Sequence, residues 1–99
     1  MILVAGHFRI PPANLEQARP AMRRVVEETR REQGCISYSY AEDMCEPGLI
    51  RVSESWVSGA ALDAHLASPH MQRWRDERTA LGLSDRDITR YEVASAEPF

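Results

Sequence analysis

CISYSYAEDMCEPGLIRVSESWV, residues 35–57, holds two segments of period two around one turn. From Cys35 to Glu42 the side chains alternate, with Ile36, Tyr38 and Tyr40 on one side. Glu46-Pro47-Gly48 supplies proline at the second position of a turn and glycine at the third. Residues 49–57 alternate again and present Ile50, Val52, Glu54 and Trp56 to one face. Two strands joined by a short loop make a hairpin. What stands on either side of that hairpin sets the fold.

Upstream, residues 2–10 (ILVAGHFRI) read as a strand with Ile2, Val4, Phe8 and Ile10 on one face, stopped by Pro11-Pro12. Asn14 is the expected N-cap of a helix, with Gln17 closing a capping-box-like pair. Leu15, Ala18, Met22, Val25 and Thr29 form its apolar stripe, and Gly34 is its expected C′ residue. Pro20 should kink that helix or mark its true start. Downstream, Ser58 caps a short helix carrying Leu62, His65 and Leu66, and Ser68-Pro69 restarts the helix. Met71, Trp74, Arg78 and Leu81 follow at helical spacing, and Gly82 ends the run. Residues 86–94 read as a last strand with room for a bulge.

The order β-α-β-β-α-β is the ferredoxin-like arrangement, an α+β fold, and residues 1–99 are expected to form a single domain. Helices on one side leave the other face of the sheet open, with Leu3, Leu49 and Val57 on it. A second copy laid sheet to sheet would cover that face, so a homodimer is expected.

A formal net charge of −3 argues against nucleic acid as a partner. The basic pairs Arg23-Arg24 and Arg30-Arg31 alternate with Glu27, Glu28 and Glu32 and read as a solvated helix face. No stretch has the length or apolarity of a signal peptide or a membrane span. Cys35 and Cys45 are too few and too loosely spaced for a zinc knuckle or a disulfide scaffold. A cytoplasmic protein without membrane contact is the expectation.

Four side chains stand out of place. Glu54 lies between Val52 and Trp56 on the side that should meet the helices. A carboxylate there needs a partner, with Arg75 or Tyr38 in reach, or it serves a ligand. His65 falls on the apolar stripe of the short helix, and His70 follows just beyond Ser68-Pro69. On one straight helix such an i,i+5 pair diverges by about 140°, whereas a bend at the break could aim both imidazoles into one cleft. No metal is expected, because helical two-histidine sites use i,i+4 spacing and a third ligand would have to come from His7 or Glu54. Tyr38, with Trp56, Met71 and Trp74, reads either as plain core or as the aromatic wall of a small-molecule pocket.

Glu32-Gln33-Gly34-Cys35 with Tyr38, Glu54-Ser55-Trp56, and the run Ala64-His65-Leu66-Ala67-Ser68-Pro69-His70-Met71 together resemble the antibiotic biosynthesis monooxygenase family, nearest to its small bacterial quinol monooxygenases. The resemblance implies a dimeric α/β barrel that oxygenates a quinol, an anthrone or a similar polycyclic phenol with dioxygen and no cofactor. It implies His65 or His70 as the base or the partner of the developing oxyanion, with Tyr38 and Glu54 holding substrate oxygens and the histidine tautomer. Trp56, Met71 and Trp74 would bind the substrate as walls, joined by His7 and Arg75. Haem-degrading relatives have asparagine where this chain has His7 and tryptophan where it has His65, and their haem-ligating histidine coincides with Arg75, so haem degradation is not expected. Two other readings stay open. One is an isomerase of a small phosphorylated carbonyl compound, which would need Arg9, Arg75 or Arg78 as a phosphate cradle. The other is a non-catalytic binding protein.

Overall fold

In the computed structural model, which describes residues 1–99, the strand β1 (Ile2–Arg9) takes a central place. Its apolar alternation leaves Ile2, Val4 and Phe8 buried, and both of its edges are paired. It runs antiparallel to β3 (Leu49–Trp56) on one side and to β4 (Ser84–Glu92) on the other. β2 (Cys35–Glu42) pairs with the far side of β3, so the sheet order is β2-β3-β1-β4. α1 (Leu15–Arg30) follows a single 3₁₀ turn at Pro12–Asn14, while α2 (Gly59–Leu66) and α3 (Pro69–Ala80) follow the hairpin. The fold is the expected α+β ferredoxin-like one, with its second helix split in two. No helix is long and apolar enough to cross a membrane.

The split has a local cause. Ser58 Oγ accepts from Ala61 N at 3.1 Å and starts α2. Ser68 Oγ then donates to the His65 carbonyl at 2.7 Å while accepting from Met71 N, so one hydroxyl closes α2 and opens α3. Pro69 stands at the first position of α3, where its missing N–H is not needed. Gly82, at φ +81°, ends α3 in a Schellman motif, with Leu83 N donating to the Arg78 carbonyl at 3.0 Å.

Register carries the site into the core. Tyr38 and Val4 flank Glu54 across β3, and Cys35 and Ile2 flank Trp56. All of these inner-face positions look toward α1 and the α2–α3 pair. A single apolar cluster fills the space, with Phe8, Val25, Trp56 and Trp74 among its most buried members.

Several local expectations are corrected. Asn14 holds the expected N-cap position of α1, but its side chain makes no capping bond; its amide donates to the Leu81 carbonyl at 2.9 Å and ties the start of α1 to the end of α3. Pro20 neither starts nor ends α1, because the helix already begins at Leu15. Its ring sits on the exposed side, where water can serve the carbonyl it leaves unpaired. A register shift between Cys35 and Ser37 turns Ile36 out of the core, leaving it 54% exposed. Leu49 is buried rather than open, so Leu3, Val57 and Tyr91 are the large apolar residues exposed at the uncovered face. β4 begins two residues earlier than the alternation suggested, at Ser84.

Gly34 is not the helix cap either, since α1 closes at Arg31. It adopts φ +85° and lies so close to α2 that an added Cβ would stand 2.6 Å from the Ala61 Cβ. Gly34→Ala therefore combines backbone strain with a steric clash between the α1–β2 turn and α2. We expect a loss of about 2–3 kcal/mol, or a fall in Tm of roughly 8–20 °C for a domain of this size, measured by thermal unfolding. A Tm within 2 °C of the unaltered protein would show that α2 shifts freely.

Candidate active site

The break between α2 and α3 brings His65 and His70 together, their ring centroids 5.8 Å apart. Both approach the same carboxyl group, that of Glu32 just beyond the end of α1. His65 Nδ1 lies 2.9 Å from Glu32 Oε2, and His70 Nε2 lies 3.0 Å from Glu32 Oε1. His70 Nε2 also shares a hydrogen bond with Thr29 Oγ1 at 3.2 Å. The His65 side chain is wholly buried, stacked against Trp56 at 4.8 Å and against the edge of Tyr38 at 5.3 Å. Its Nε2 has no hydrogen-bond partner.

Burial pushes the His65 imidazole down to about 4, with the charges of His70 and Arg75 acting in the same direction. Glu32 sits beside it, yet its own carboxyl is pushed up, first by burial and then by the charge of Glu54. That shift weakens the pull Glu32 could exert toward an imidazolium. The result is a neutral imidazole at pH 7 whose Nδ1–H donates to Glu32 and whose lone pair stands on Nε2.

His65 lines a small cavity of about 40 Å³ between the sheet and α3. Of the residues singled out in the sequence, Tyr38, Glu54, Met71 and Trp74 line it too. Glu54 is 7% exposed, and its partner is neither Arg75 nor Tyr38: the indole N–H of Trp56 donates to Glu54 Oε1 at 3.0 Å. Burial pushes the Glu54 carboxyl up, while that hydrogen bond and Arg86 hold it back. The Tyr38 and Tyr40 hydroxyls share a hydrogen bond at 2.8 Å, and burial raises both phenols, Tyr40 to about 12. Both remain neutral at pH 7. Trp56 stands behind Glu54 and His65 as support, not on the cavity wall.

Three expected members lie off the cavity wall: His70 meets Glu32 and Thr29 instead, and His7 and Arg75 lie elsewhere. His7 pairs with Arg51 and Asp87 on β1 and points to the opposite, uncovered face of the sheet, because it is out of phase with Val4 and Phe8. Arg75 caps α2 by donating to the Leu66 carbonyl and reaches Gln72 Oε1 at 3.3 Å. The third group beside the histidines is Glu32, neither His7 nor Glu54. Glu32 went unrecognised as a site residue because it reads as one charge in an alternating run. The signal was its place three residues after Thr29, which continues the apolar stripe of α1. Arg78 and Arg86 also line the cavity, and Arg78 is half-buried, pushed down by burial and by the charge of Arg86.

A larger concavity, about 400 Å³, opens between α1 and the β2 edge. Two of its three arginines are already engaged: Arg19 grips Glu42 through two hydrogen bonds of 2.9 and 3.0 Å, and Arg30 donates to the Tyr38 carbonyl. The smaller cavity is the better candidate, since the buried His65 imidazole lines it together with Tyr38 and Glu54.

The family model for antibiotic biosynthesis monooxygenase matches residues 1–77. The uncharacterized protein sll1783 of Synechocystis sp. is 31% identical over 96 residues, which is 97% of this chain and 65% of that relative. The chain thus spans somewhat less than two thirds of the length of sll1783. YcnE of Bacillus subtilis, whose name as a monooxygenase is provisional, is 23% identical over 94 residues, covering 95% of this chain and 99% of its own. A solved structure from Deinococcus radiodurans, provisionally described as an antibiotic biosynthesis monooxygenase, superposes with a TM-score of 0.93 at 28% identity, covering 100% of this chain and 98% of that one.

Proposed function

The chain belongs to the antibiotic biosynthesis monooxygenase family, and on that premise we propose that it oxidises a quinol, an anthrone or a similar electron-rich phenol with dioxygen, without a cofactor. One observation carries the reading: a wholly buried imidazole in the cavity, with its Nδ1 held by Glu32 and its Nε2 left free to accept a proton. His65 takes the phenolic proton. The resulting phenolate passes an electron to dioxygen, and the two radicals combine to a carbon-bound peroxide, which takes the proton back from His65 to become a hydroperoxide. Loss of water from it leaves a quinone, so one oxygen atom enters the product and the other departs as water. The substrate supplies all the electrons.

The pocket residues fit these steps. Tyr38 and Glu54 offer hydrogen bonds to substrate oxygens, Met71 and Trp74 provide apolar walls, and Arg78 faces the charge that deprotonation creates. A cavity of about 40 Å³ holds a few waters, whereas drug-sized ligands need several hundred Å³. Entry therefore requires the lining to move apart, and Leu66, which lines the cavity and is 41% exposed, is where it can. The test is oxygen uptake with naphthoquinols, benzoquinols and anthrones, followed by ¹⁸O₂ labelling. One labelled atom per product molecule is expected; no uptake above autoxidation with any of them would sink the reading.

Arg78 yields a second prediction. Arg78→Leu should raise KM about 10-fold for a substrate that binds as phenolate, the scale of one lost charge-assisted hydrogen bond. Steady-state kinetics with unchanged KM would remove Arg78 from the binding role. Of the arginines the isomerase alternative could use, Arg78 alone reaches the cavity, since Arg9 is held by Glu46 and Asp85. Turnover under argon would favour that alternative. The same family reading takes the protein as a homodimer. Exposed Leu3, Val57 and Tyr91 on the open sheet face support it, and sedimentation equilibrium tests it.

A further inference from the structure

We propose that Glu32, His65 and His70 form a binding site for a divalent transition-metal cation of the zinc type, and that occupancy switches the His65 base off. The site stands on the cluster alone, while the switch rests on the function proposed above. One donor atom from each residue lies within 4.8 Å of the other two. Around a cation with bonds of 2.0–2.1 Å, tetrahedral donors stand about 3.4 Å apart, so closure asks for a movement of about 1.4 Å at most. His70, on the first turn of α3 and 17% exposed, has the freedom to supply it. Two imidazoles and one carboxylate suit zinc and its first-row neighbours rather than calcium or magnesium, which prefer oxygen.

Independent features of the site agree. Glu32 Oε1 is buried and, although 3.0 Å from His70 Nε2, has no well-aligned donor. Glu28 Oε2 lies 3.8 Å from His70 Nδ1, the place where a carboxylate orients a metal-bound imidazole. Thr29 Oγ1 stands beside the third donor, and three protein ligands leave a fourth position for water.

The switch follows from proton bookkeeping. Without metal, the one ring proton of neutral His65 sits on Nδ1 and points at Glu32. Coordination through Nδ1 needs the lone pair there, so that proton leaves and one is taken up at Nε2. Nε2, the nitrogen assigned above to take the substrate proton, then donates and can no longer accept it. Nothing is oxidised or reduced.

Chelator-stripped protein titrated with Co(II) tests the site by visible absorption, and ¹⁵N NMR of the histidines with Zn(II) tests the switch. We expect one equivalent of Co(II) to bind with the strong bands of low coordination and to be displaced by Zn(II). His70→Ala and Glu32→Gln should each weaken binding about 100-fold or more, with folding checked by circular dichroism. In the unaltered protein, which needs no variant, Zn(II) should move the His65 proton from Nδ1 to Nε2. Absence of saturable Co(II) binding below millimolar, or binding untouched in both variants, overturns the site. Zn(II) bound with the proton still on Nδ1 overturns the switch. A protein that binds Zn(II) and changes tautomer, yet never consumes oxygen when metal-free, upholds the site and counts against the monooxygenase reading alone.

Discussion

His65→Asn is expected to lower kcat/KM by about 10²–10⁴-fold, the usual worth of a positioned base. Asparagine is the informative replacement, since its amide nitrogen stands near the place of Nδ1 and can still donate to Glu32. Nothing then stands where Nε2 stood. The ring also packs on Trp56 at 4.8 Å and on Tyr38 at 5.3 Å, so the variant loses aromatic contact as well as its base. Those contacts and the shrunken side chain amount to about 1–3 kcal/mol, enough to lower Tm but not to unfold a typical domain. The decisive comparison is between the two losses, measured by oxygen uptake and thermal unfolding on the same preparation. Activity within threefold of the unaltered protein, at any Tm, would exclude His65 as the base. A fall in activity explained by the unfolded fraction would make it a core residue.

How far the sequence discloses this site depends on the kind of signal each residue gives. The hairpin, the serine-proline break and the approach of its two histidines are legible because each rests on local chemistry: alternation, a turn dipeptide, a cap followed by proline; that only His65 reaches the cavity wall is not. Glu54 is conspicuous for the opposite reason, as a carboxylate breaking an apolar alternation. Its partner was misjudged because the contact runs along the strand, from Trp56 two residues on, instead of across to a helix. Glu32 shows the limit more sharply. Locally it is one of several glutamates interleaved with arginines, and only the tertiary approach of α2, made possible by Gly34, gives it two imidazoles. His7 fails in the reverse sense. Its residue type suits a site, yet strand parity sends it to the far face, and that parity was readable from Val4 and Phe8. Arg75 was plausible by position and is consumed as a helix cap, an outcome periodicity cannot foresee.

Glu32→Gln is the second change of large expected effect, and it tests the tautomer rather than the base. With the carboxylate present, Nδ1 must donate, which leaves Nε2 as the acceptor. An amide can offer its NH₂ to Nδ1 instead. The ring then accepts at Nδ1 and carries its proton on Nε2, where the substrate proton should go. By analogy with the aspartate-to-asparagine change in a serine-protease triad, kcat should fall by about 10²–10⁴-fold. Stability should move little. The Glu32 carboxyl is pushed up by burial, so as an anion at pH 7 it weakens the fold, and a neutral amide removes that penalty while losing charge-assisted hydrogen bonds. The pH profile of chelator-treated protein adds an independent check. Burial holds His65 down to about 4, so its base form persists as pH falls and is lost only on passing through that value. For the unaltered enzyme, kcat/KM should stay level from pH 8 to about 5 and drop below it, whereas an ordinary imidazole would begin to fail near 6.5. In Glu32→Gln the loss should be nearly uniform across that plateau, because a misplaced proton is not restored by raising the pH. A variant that regains full rate at pH 8 would show that Glu32 acts through its charge on His65 and not by fixing which nitrogen bears the proton.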